Sequence, residues 1–169
     1  MTSLAEIEVC PAAQLSGIPA GRTDESAVPD GPMVVIEALN RAASAVRHHV
    51  EQAVLRGADL SWTGYAVLVL TCEQRSVETR AAAAAIGISR GTLTGVVRTL
   101  ESKGLVRRMP HCRDGRLVLL EPTTAGRRLA RRLGPRVRSA EDFAIGSLNL
   151  GERAALTGLL GRVVADLSP

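Results

Sequence analysis

The sequence predicts a mainly α-helical fold with one small β-hairpin, and three observations support that prediction. Apolar residues recur at intervals of three and four through several long segments, which is the spacing of one face of an α-helix. A glycine-containing turn at residues 87–89 separates two of these segments closely enough for a helix-turn-helix unit. Two short apolar runs flank the turn-forming residues 110–115, as in a β-hairpin. At 169 residues, the chain is long enough for one domain with its own core.

The first 31 residues differ in composition from the rest of the chain. They are rich in Pro, Gly, Ala and acidic residues, which predicts a flexible acidic tail over residues 1–31. From residue 32 to residue 56, apolar residues form a seam that could meet a partner helix. The members of this seam are Ile36, Leu39, Ala43, Val46, Val50 and Val54. We expect residues 32–56 to be a dimerisation helix; the alternative is that the seam only completes the core of a single chain.

The first helix of the helix-turn-helix is predicted to begin at Ser76, whose hydroxyl could cap free backbone N–H groups. Residues 81–85 are all alanine, which forms helices readily and adds little bulk. Gly87 can adopt the left-handed conformation that ends a helix. Taken alone, this segment is an ordinary alanine-rich helix, so its interpretation depends on the helix that follows.

The second helix carries the candidate DNA contacts. Ser89 lies where an N-cap is needed, and a buried stripe recurs at helical spacing through Leu93, Val96, Val97 and Leu100. The opposite face combines small residues with arginine, whereas a merely solvated face usually mixes Glu and Lys. Each glycine inside a helix costs about 1 kcal/mol relative to alanine, but small residues let short hydroxyls and backbone approach base edges. We expect this helix to lie in the major groove through Ser89, Arg90, Gly91, Thr92, Thr94, Gly95 and Arg98.

The hairpin follows this helix, and its tip presents Arg113, Asp114 and Arg116. An arginine on such a tip suits the narrow minor groove, where the negative potential is enhanced. Asp114 is expected to hold an arginine in place through a carboxylate–guanidinium pair. The alternative is a generic charged loop. Residues 61–121 together predict a winged helix-turn-helix, with the hairpin as its wing.

A linking helix is predicted over residues 123–145, with Thr123 as its cap. Gly134 and Pro135 are expected to kink or break this helix, because proline removes a backbone donor and crowds the preceding turn. The helix also carries a group of arginines that either contact phosphates beside the grooves or form a solvated face. These arginines are Arg127, Arg128, Arg131 and Arg132.

Residues 149–168 form the last predicted helix, which Asn149 is placed to cap. Its apolar seam and that of residues 32–56 lie at the two ends of a single domain, residues 32–168. We therefore expect both helices to dimerise the protein. A two-fold homodimer would match a palindromic operator.

Several short motifs in this arrangement resemble one known family. They are Leu60-Ser61-Trp62, Tyr65-Ala66-Val67-Leu68, Asp114-Gly115-Arg116 and Pro122-Thr123-Thr124-Ala125-Gly126. These motifs make the chain similar to the multiple-antibiotic-resistance regulator (MarR) family, and the similarity extends over residues 33–168. The chain departs from the family pattern at Pro122, where leucine is usual, and at Gly115, where a second arginine is common. The resemblance implies a homodimeric winged helix-turn-helix repressor or activator that a small phenolic or other lipophilic ligand often releases from its operator.

The resemblance also implies where a ligand could bind. By family position, Trp62 and Tyr65 open a helix that faces the cleft between the dimerisation and DNA-binding regions, and Arg47 and His48 could bind an anion there. The expected effector is a small aromatic or lipophilic molecule. The alternative is that Trp62 and Tyr65 are core residues, since a chain with one Trp, one Tyr and one Phe is poor in pocket-lining aromatics.

Charge is segregated along the chain. Residues 1–32 hold five acidic residues against Arg22 alone, a net charge of −4, whereas residues 75–138 hold fifteen Lys and Arg against four acidic residues, a net charge of +11. A basic region on this scale favours a polyanionic partner such as double-stranded DNA. The sequence shows no apolar run of about 18 residues and no signal peptide. We expect a cytoplasmic, nucleoid-associated protein without a membrane partner.

No motif typical of an enzyme is present, such as a nucleophile elbow or a phosphate-binding loop, so we expect no catalytic residue and no cofactor. The cysteines and histidines lack metal-ligand spacing, so we expect no metal. Two other functions stay open. One is redox sensing through Cys10 in the tail or Cys112 on the wing, since Cys72 is expected to be a small core residue. The other is a winged-helix module for protein–protein assembly, which would need an apolar or mixed exposed face on residues 89–102.

Overall fold

The computed structural model of the chain describes residues 31–111 and 117–167, which form six α-helices and a three-stranded antiparallel sheet. A π-helical turn (Glu51–Leu55) and a 3-10 turn (Arg56–Ala58) continue the first helix. The helices are α1 (Pro32–Val50), α2 (Trp62–Gln74), α3 (Thr79–Ile86), α4 (Arg90–Ser102), α5 (Thr124–Ala144) and α6 (Leu150–Asp166). The strands are β1 (Val77–Glu78), β2 (Val106–Pro110) and β3 (Val118–Pro122), in the sheet order β1-β3-β2. The mainly helical fold with a β-hairpin is confirmed.

Side-chain caps confirm where three of the predicted helices begin. The hydroxyls of Ser89 and Thr123 accept hydrogen bonds from first-turn N–H groups of α4 and α5, at 3.1 and 3.0 Å. Asn149 and Glu152 form a reciprocal capping box at the start of α6. Gly87 ends α3 with φ 72°, in the left-handed region that glycine adopts at little cost. These helix ends follow from local sequence because their backbone donors are satisfied locally.

The predicted cap at Ser76 is wrong. Helix α3 begins at Thr79, and the residues before it, Val77 and Glu78, form strand β1 opposite Leu120 and Leu119 of β3. The Val77 side chain is buried in the core, so tertiary packing holds this segment extended. The Ser76 hydroxyl is buried and finds no hydrogen-bond partner within the described part of the chain.

The expected break at Pro135 does not occur, because α5 continues through it from Thr124 to Ala144. Pro135 has no N–H for the carbonyl four residues earlier, and the loss of that bond normally destabilises a helix. Leu133 and Val137 flank the proline, and both are buried against the core. Packing on each side of Pro135 therefore keeps the two halves of α5 in register.

The base of the wing is fixed to the start of α5. The Thr123 N–H donates to the Leu105 carbonyl at 3.0 Å, and the Thr123 hydroxyl donates to the Gly104 carbonyl at 2.6 Å. Gly126 packs so closely that an added Cβ would lie 2.1 Å from the Leu105 carbonyl oxygen. Glycine is required there for steric reasons, because any side chain would collide with the backbone just before β2.

The two ends of the domain expose apolar residues. Helix α6 contains no buried residue, and the side chains of Leu150, Leu159 and Leu167 are 84%, 57% and 80% exposed. Met33 and Val35 at the start of α1 are also exposed. Within the predicted seam of residues 32–56, Val50 and Val54 are buried in the core of the single chain, whereas Ile36 is 49% exposed. The second half of this seam therefore completes the core of one chain, while the start of α1 and the whole of α6 leave apolar residues exposed. Across residues 31–111 and 117–167, we find no helix with the length and apolar character needed to cross a membrane.

Candidate nucleic-acid interface

Helix α4 presents one face to the core and the other to solvent. Leu93, Val97 and Leu100 are almost completely buried and pack with residues of the other elements. Because these three side chains set the rotation of the helix, the opposite face has a defined direction. All of the predicted contacts on this helix and at its cap are exposed: Ser89, Arg90, Gly91, Thr92, Thr94, Gly95 and Arg98.

The small residues on this face leave room for a partner. A Cβ added at Gly95 would meet nothing within 4 Å, so packing inside the chain does not require glycine there. The Thr94 hydroxyl donates to the Arg90 carbonyl at 2.9 Å, which leaves its methyl group and both oxygen lone pairs available. Within the described residues, neither Arg90 nor Arg98 takes part in an ion pair. The face can thus offer two guanidinium groups to a polyanion.

The wing is a two-stranded ribbon whose strands pair from Val106 opposite Pro122 to Pro110 opposite Val118. Beyond Val106, the side chains of β2 are exposed. The Arg107 guanidinium bonds the Glu121 carboxylate across the ribbon, with Nη2 at 2.8 Å and Nε at 3.2 Å. The predicted tip residues, Arg113, Asp114 and Arg116, lie outside the described residues.

A carboxylate of α4 joins this helix to the wing, and it is not among the residues predicted from the sequence. Glu101 Oε1 accepts a hydrogen bond from the Arg108 backbone N–H at 3.1 Å, and Glu101 Oε2 lies 3.1 Å from Arg108 Nη1. Glu101 and Arg108 are only seven positions apart. A Glu in the last turn followed by an Arg in the next strand was the available signal, but such pairs are common in sequence.

A second ion pair joins the end of α4 to the connector between α1 and α2. Lys103 Nζ lies 2.7 Å from Asp59 Oδ2 and also donates to the Asp59 carbonyl. Asp59 has φ 51°, a left-handed conformation that Asp tolerates better than most residues. The two residues are 44 positions apart, so nothing local in the sequence indicated this contact. The Asp59 side chain is 94% exposed, so the pair adds at most about 1 kcal/mol to stability.

Two adjoining clefts, of about 330 and 450 Å³, lie between the connector and α4. Both are lined by Asp59, Leu60, Ser61 and Thr99. None of the four residues predicted to bind a ligand lines either cleft.

The structure divides those four residues between two environments. Arg47 and His48 are exposed on α1, and Arg47 donates to the Ser44 hydroxyl at 3.2 Å. Trp62 and Tyr65 are half-buried and pack against the core. Burial raises the pKa of the Tyr65 phenol, and the nearby Glu141 carboxylate raises it further, while Arg138 opposes the change. The ligand site at these residues stays a prediction.

The described cysteine, Cys72, is a free thiol packed against the core. Burial raises the pKa of this thiol, although Arg127 and Arg131 act in the opposite direction. A raised pKa lowers the thiolate fraction, which makes the residue less reactive. Cys10 and Cys112 lie outside the described residues. In the ranges that the structure describes, no three His, Cys, Asp or Glu residues are grouped closely enough to hold a metal ion.

Comparison with known proteins places this fold and surface in one class. Residues 60–118 match the model of the MarR family. The HTH-type transcriptional regulator YwaE of Bacillus subtilis is 35% identical over 129 residues, which are 76% of this chain and 75% of that protein. The HTH-type transcriptional repressor NicR of Pseudomonas putida is 34% identical over 80 residues, covering 47% and 51% of the two chains.

Solved structures agree with this assignment. A MarR family transcriptional regulator from Streptomyces coelicolor, solved in complex with DNA, has a TM-score of 0.75 and 26% identity, covering 81% of this chain and 91% of the other. CouR from Rhodococcus jostii, solved bound to p-coumaroyl-CoA, has a TM-score of 0.69 and 29% identity, covering 82% and 94%. The fold defines a winged helix-turn-helix transcriptional regulator. The chain belongs to the MarR family.

Proposed function

We propose that this protein is a homodimeric, sequence-specific DNA-binding repressor whose two α4 helices read a palindromic operator. The exposed face of α4 is the observation that carries the proposal. It combines Arg90 and Arg98, which form no ion pair within the described residues, with glycines that packing inside the chain does not explain. The related repressor NicR and the DNA complex of the S. coelicolor regulator support the same activity.

Direct readout would come from α4 in the major groove. Arg98 is suited to bidentate bonding with guanine, and the Thr94 methyl group is suited to contact with thymine. Arg113 and Arg116 on the wing would reach the minor groove, with Asp114 as their organiser. Residues 61–121 form the DNA-binding unit in this proposal, and residues 123–145 link it to the dimerisation helices.

The second copy of the chain would cover the apolar faces at the two ends of the domain, residues 32–56 and 149–168. About 25 cal/mol is gained for each square ångström of apolar surface removed from water, so the exposed leucines of α6 favour association. A two-fold dimer places its recognition helices about one helical turn of DNA apart, which matches two half-sites. Residues 1–31 are a tail outside this arrangement.

Release from the operator would follow from binding of a small aromatic or lipophilic anion near Trp62, Tyr65, Arg47 and His48. CouR, which was solved bound to p-coumaroyl-CoA, supports ligand binding by a protein with this fold. The ligand must prefer a dimer whose recognition helices no longer match the spacing of the half-sites. This site connects the dimerisation helix α1 with α2 of the DNA-binding unit.

No catalytic step, cofactor or metal enters this proposal, and the protein would act in the cytoplasm on the nucleoid. Redox sensing through Cys10 or Cys112 is an alternative, whereas Cys72 is poorly suited to it because burial raises the pKa of its thiol. A protein-assembly module is a weaker alternative, since residues 89–102 expose arginine and small polar side chains.

A mobility-shift titration tests the proposal on the promoter region beside the protein's own gene. We expect a discrete complex at two salt concentrations, weaker at the higher one, because phosphate contacts release counterions. A scrambled fragment of equal length should bind more weakly. Equal affinity for the two fragments would refute sequence-specific binding.

A further inference from the structure

Strand β2 lies at the edge of the sheet, so one side of its backbone has no partner strand. Arg108 lies opposite Leu120 of β3, and its N–H points away from that strand to the Glu101 carboxylate of α4. An edge N–H usually bonds water. Here it bonds a side chain of the recognition helix instead.

The Glu101 carboxylate makes two contacts with the same residue. One oxygen accepts the Arg108 backbone N–H, and the other pairs with the Arg108 guanidinium, each at 3.1 Å. Both side chains are partly screened from water, with 28% of Glu101 and 38% of Arg108 exposed. Two contacts restrain direction as well as distance, which a single surface ion pair does not do.

The neighbouring arginine is held in a different way. Side chains alternate between the faces of a strand, so Arg107 and Arg108 project to opposite sides of β2. Arg107 pairs with Glu121, its cross-strand partner. The Arg107–Glu121 pair therefore acts within the wing, and the Arg108–Glu101 pair acts between the wing and α4.

The position of the contact gives it leverage. The turn between α4 and β2 contains Gly104, with φ 65°, and the core holds Val106 of β2 and Leu120 of β3, the residue opposite Arg108. Beyond this level neither strand has a buried residue, so a small rotation of the ribbon would move the outer wing by a larger distance. The Glu101 contact at Arg108 lies where this outer part begins.

We propose that Glu101 is a positioning residue that sets the angle between the recognition helix and the wing. With this angle fixed, the helix and the wing can contact their two DNA grooves at the same time. The inference rests on the proposed DNA-binding function. In this proposal Glu101 acts through Arg108 and does not itself contact DNA. It also removes Arg108 from the set of arginines free to bind phosphate.

Two physical effects predict opposite results for Glu101→Gln. The variant removes a negative charge near DNA and frees Arg108, so charge alone would tighten binding to every DNA sequence. Gln retains an acceptor for the Arg108 N–H but loses the ion pair, so the wing would be less well oriented. Loss of orientation lowers the preference for the operator over other DNA.

Glu121→Gln is the matched control. It removes the same charge, frees the neighbouring Arg107 and changes a side chain of similar exposure, 26%. It leaves the contact between α4 and the wing in place. We expect it to raise affinity for operator and scrambled DNA alike, with no change in their ratio.

The experiment measures Kd for operator and scrambled DNA with wild type, E101Q and E121Q, together with hydroxyl-radical footprints of the operator. We expect the operator-to-scrambled affinity ratio to fall about fivefold in E101Q only, the scale of one restrained ion pair. Minor-groove protection beside each half-site should weaken in the same variant. Amide exchange checks the contact itself, since the Arg108 N–H should exchange faster in Glu101→Ala than in E121Q.

Equal ratios for E101Q and E121Q overturn the inference, because they show that only charge matters. Unchanged Arg108 exchange in Glu101→Ala overturns it as well. A wild-type protein that does not prefer the operator refutes the proposed function and the inference with it. If wild type prefers the operator but E101Q and E121Q have the same operator-to-scrambled affinity ratio, the inference fails and the proposed function stands.

Discussion

Helices α4 and α6 both carry apolar residues at intervals of three and four, yet the folded chain buries those of α4 and leaves those of α6 exposed. The apolar stripe of α4 is buried, with Leu93, Val97 and Leu100 no more than 2% exposed. The apolar residues of α6 are exposed, including Leu159 and Leu160 at 57% and 36%. The core beneath α4 is therefore completed within one chain, whereas the apolar residues of α6 are not covered by it.

The largest effect is expected from Leu159→Asp, which places a charge on the α6 seam. If α6 pairs with a second copy, the variant should sediment as a monomer of 17.8 kDa at micromolar concentration. It should also lose about 100-fold or more in operator affinity, because the two half-sites are no longer bound together. Deletion of residues 1–31 is the control and should leave both properties unchanged. A dimeric Leu159→Asp protein would contradict this assignment of the interface.

Leu100→Ala tests the other side of the comparison. Truncating this buried leucine should lower the free energy of unfolding by about 2–5 kcal/mol. This reduction, calculated per mole of dimer, should not depend on protein concentration, because Leu100 packs against residues of its own chain. Urea denaturation at two concentrations measures it, with Leu159→Ala as the comparison. A cost below about 1 kcal/mol would show that the site is not tightly packed.

Ligand binding should act between the two regions. A phenolic carboxylate bound near Trp62 and Tyr65 is expected to lower operator affinity up to about 100-fold, within the usual range of allosteric coupling. Quenching of the single tryptophan, Trp62, reports binding, and release of labelled operator reports the coupling. Arg47→Ala should weaken the quenching. If millimolar ligand changes neither signal, the effector is of another chemical class.

Arg98→Ala should reduce operator affinity by about 1–3 kcal/mol if Arg98 bonds a guanine bidentately. The substitution should cost less affinity on an operator in which the base pair contacted by Arg98 has been changed. The thermal unfolding of the variant should match the wild type, since Arg98 is exposed and forms no ion pair within the described residues. Unchanged operator affinity in the folded variant would remove Arg98 from the interface.

The smallest effects are expected at the wing tip. Arg116→Ala should weaken binding by loss of a minor-groove contact, and Asp114→Ala should weaken it by misplacing an arginine. Simple removal of a negative charge near phosphate predicts the reverse for Asp114→Ala. Competition titrations with the operator compare the two variants. Tighter binding by Asp114→Ala would exclude the organising role.

Local sequence determined much of this protein. The caps at Ser89, Thr123 and Asn149 and the left-handed end at Gly87 depend on backbone groups within a few residues, so local patterns predicted them. The exposed face of α4 also followed from its period, because a buried stripe determines which side faces solvent.

Tertiary structure decided two kinds of feature. One is contacts between residues that are distant in sequence, and the other is segments whose local conformational preference is outweighed by packing. Strand β1 replaces the predicted cap at Ser76 because Val77 pairs with Leu120 of β3. Helix α5 passes through Pro135 because buried residues on both sides hold it against the core. The contact of Lys103 with Asp59 spans 44 positions, and no periodic pattern encodes such a pair. Apolar periodicity indicates that a helix packs against a partner. Whether that partner belongs to the same chain is seen only in the folded core, because burial depends on the space left by every other element.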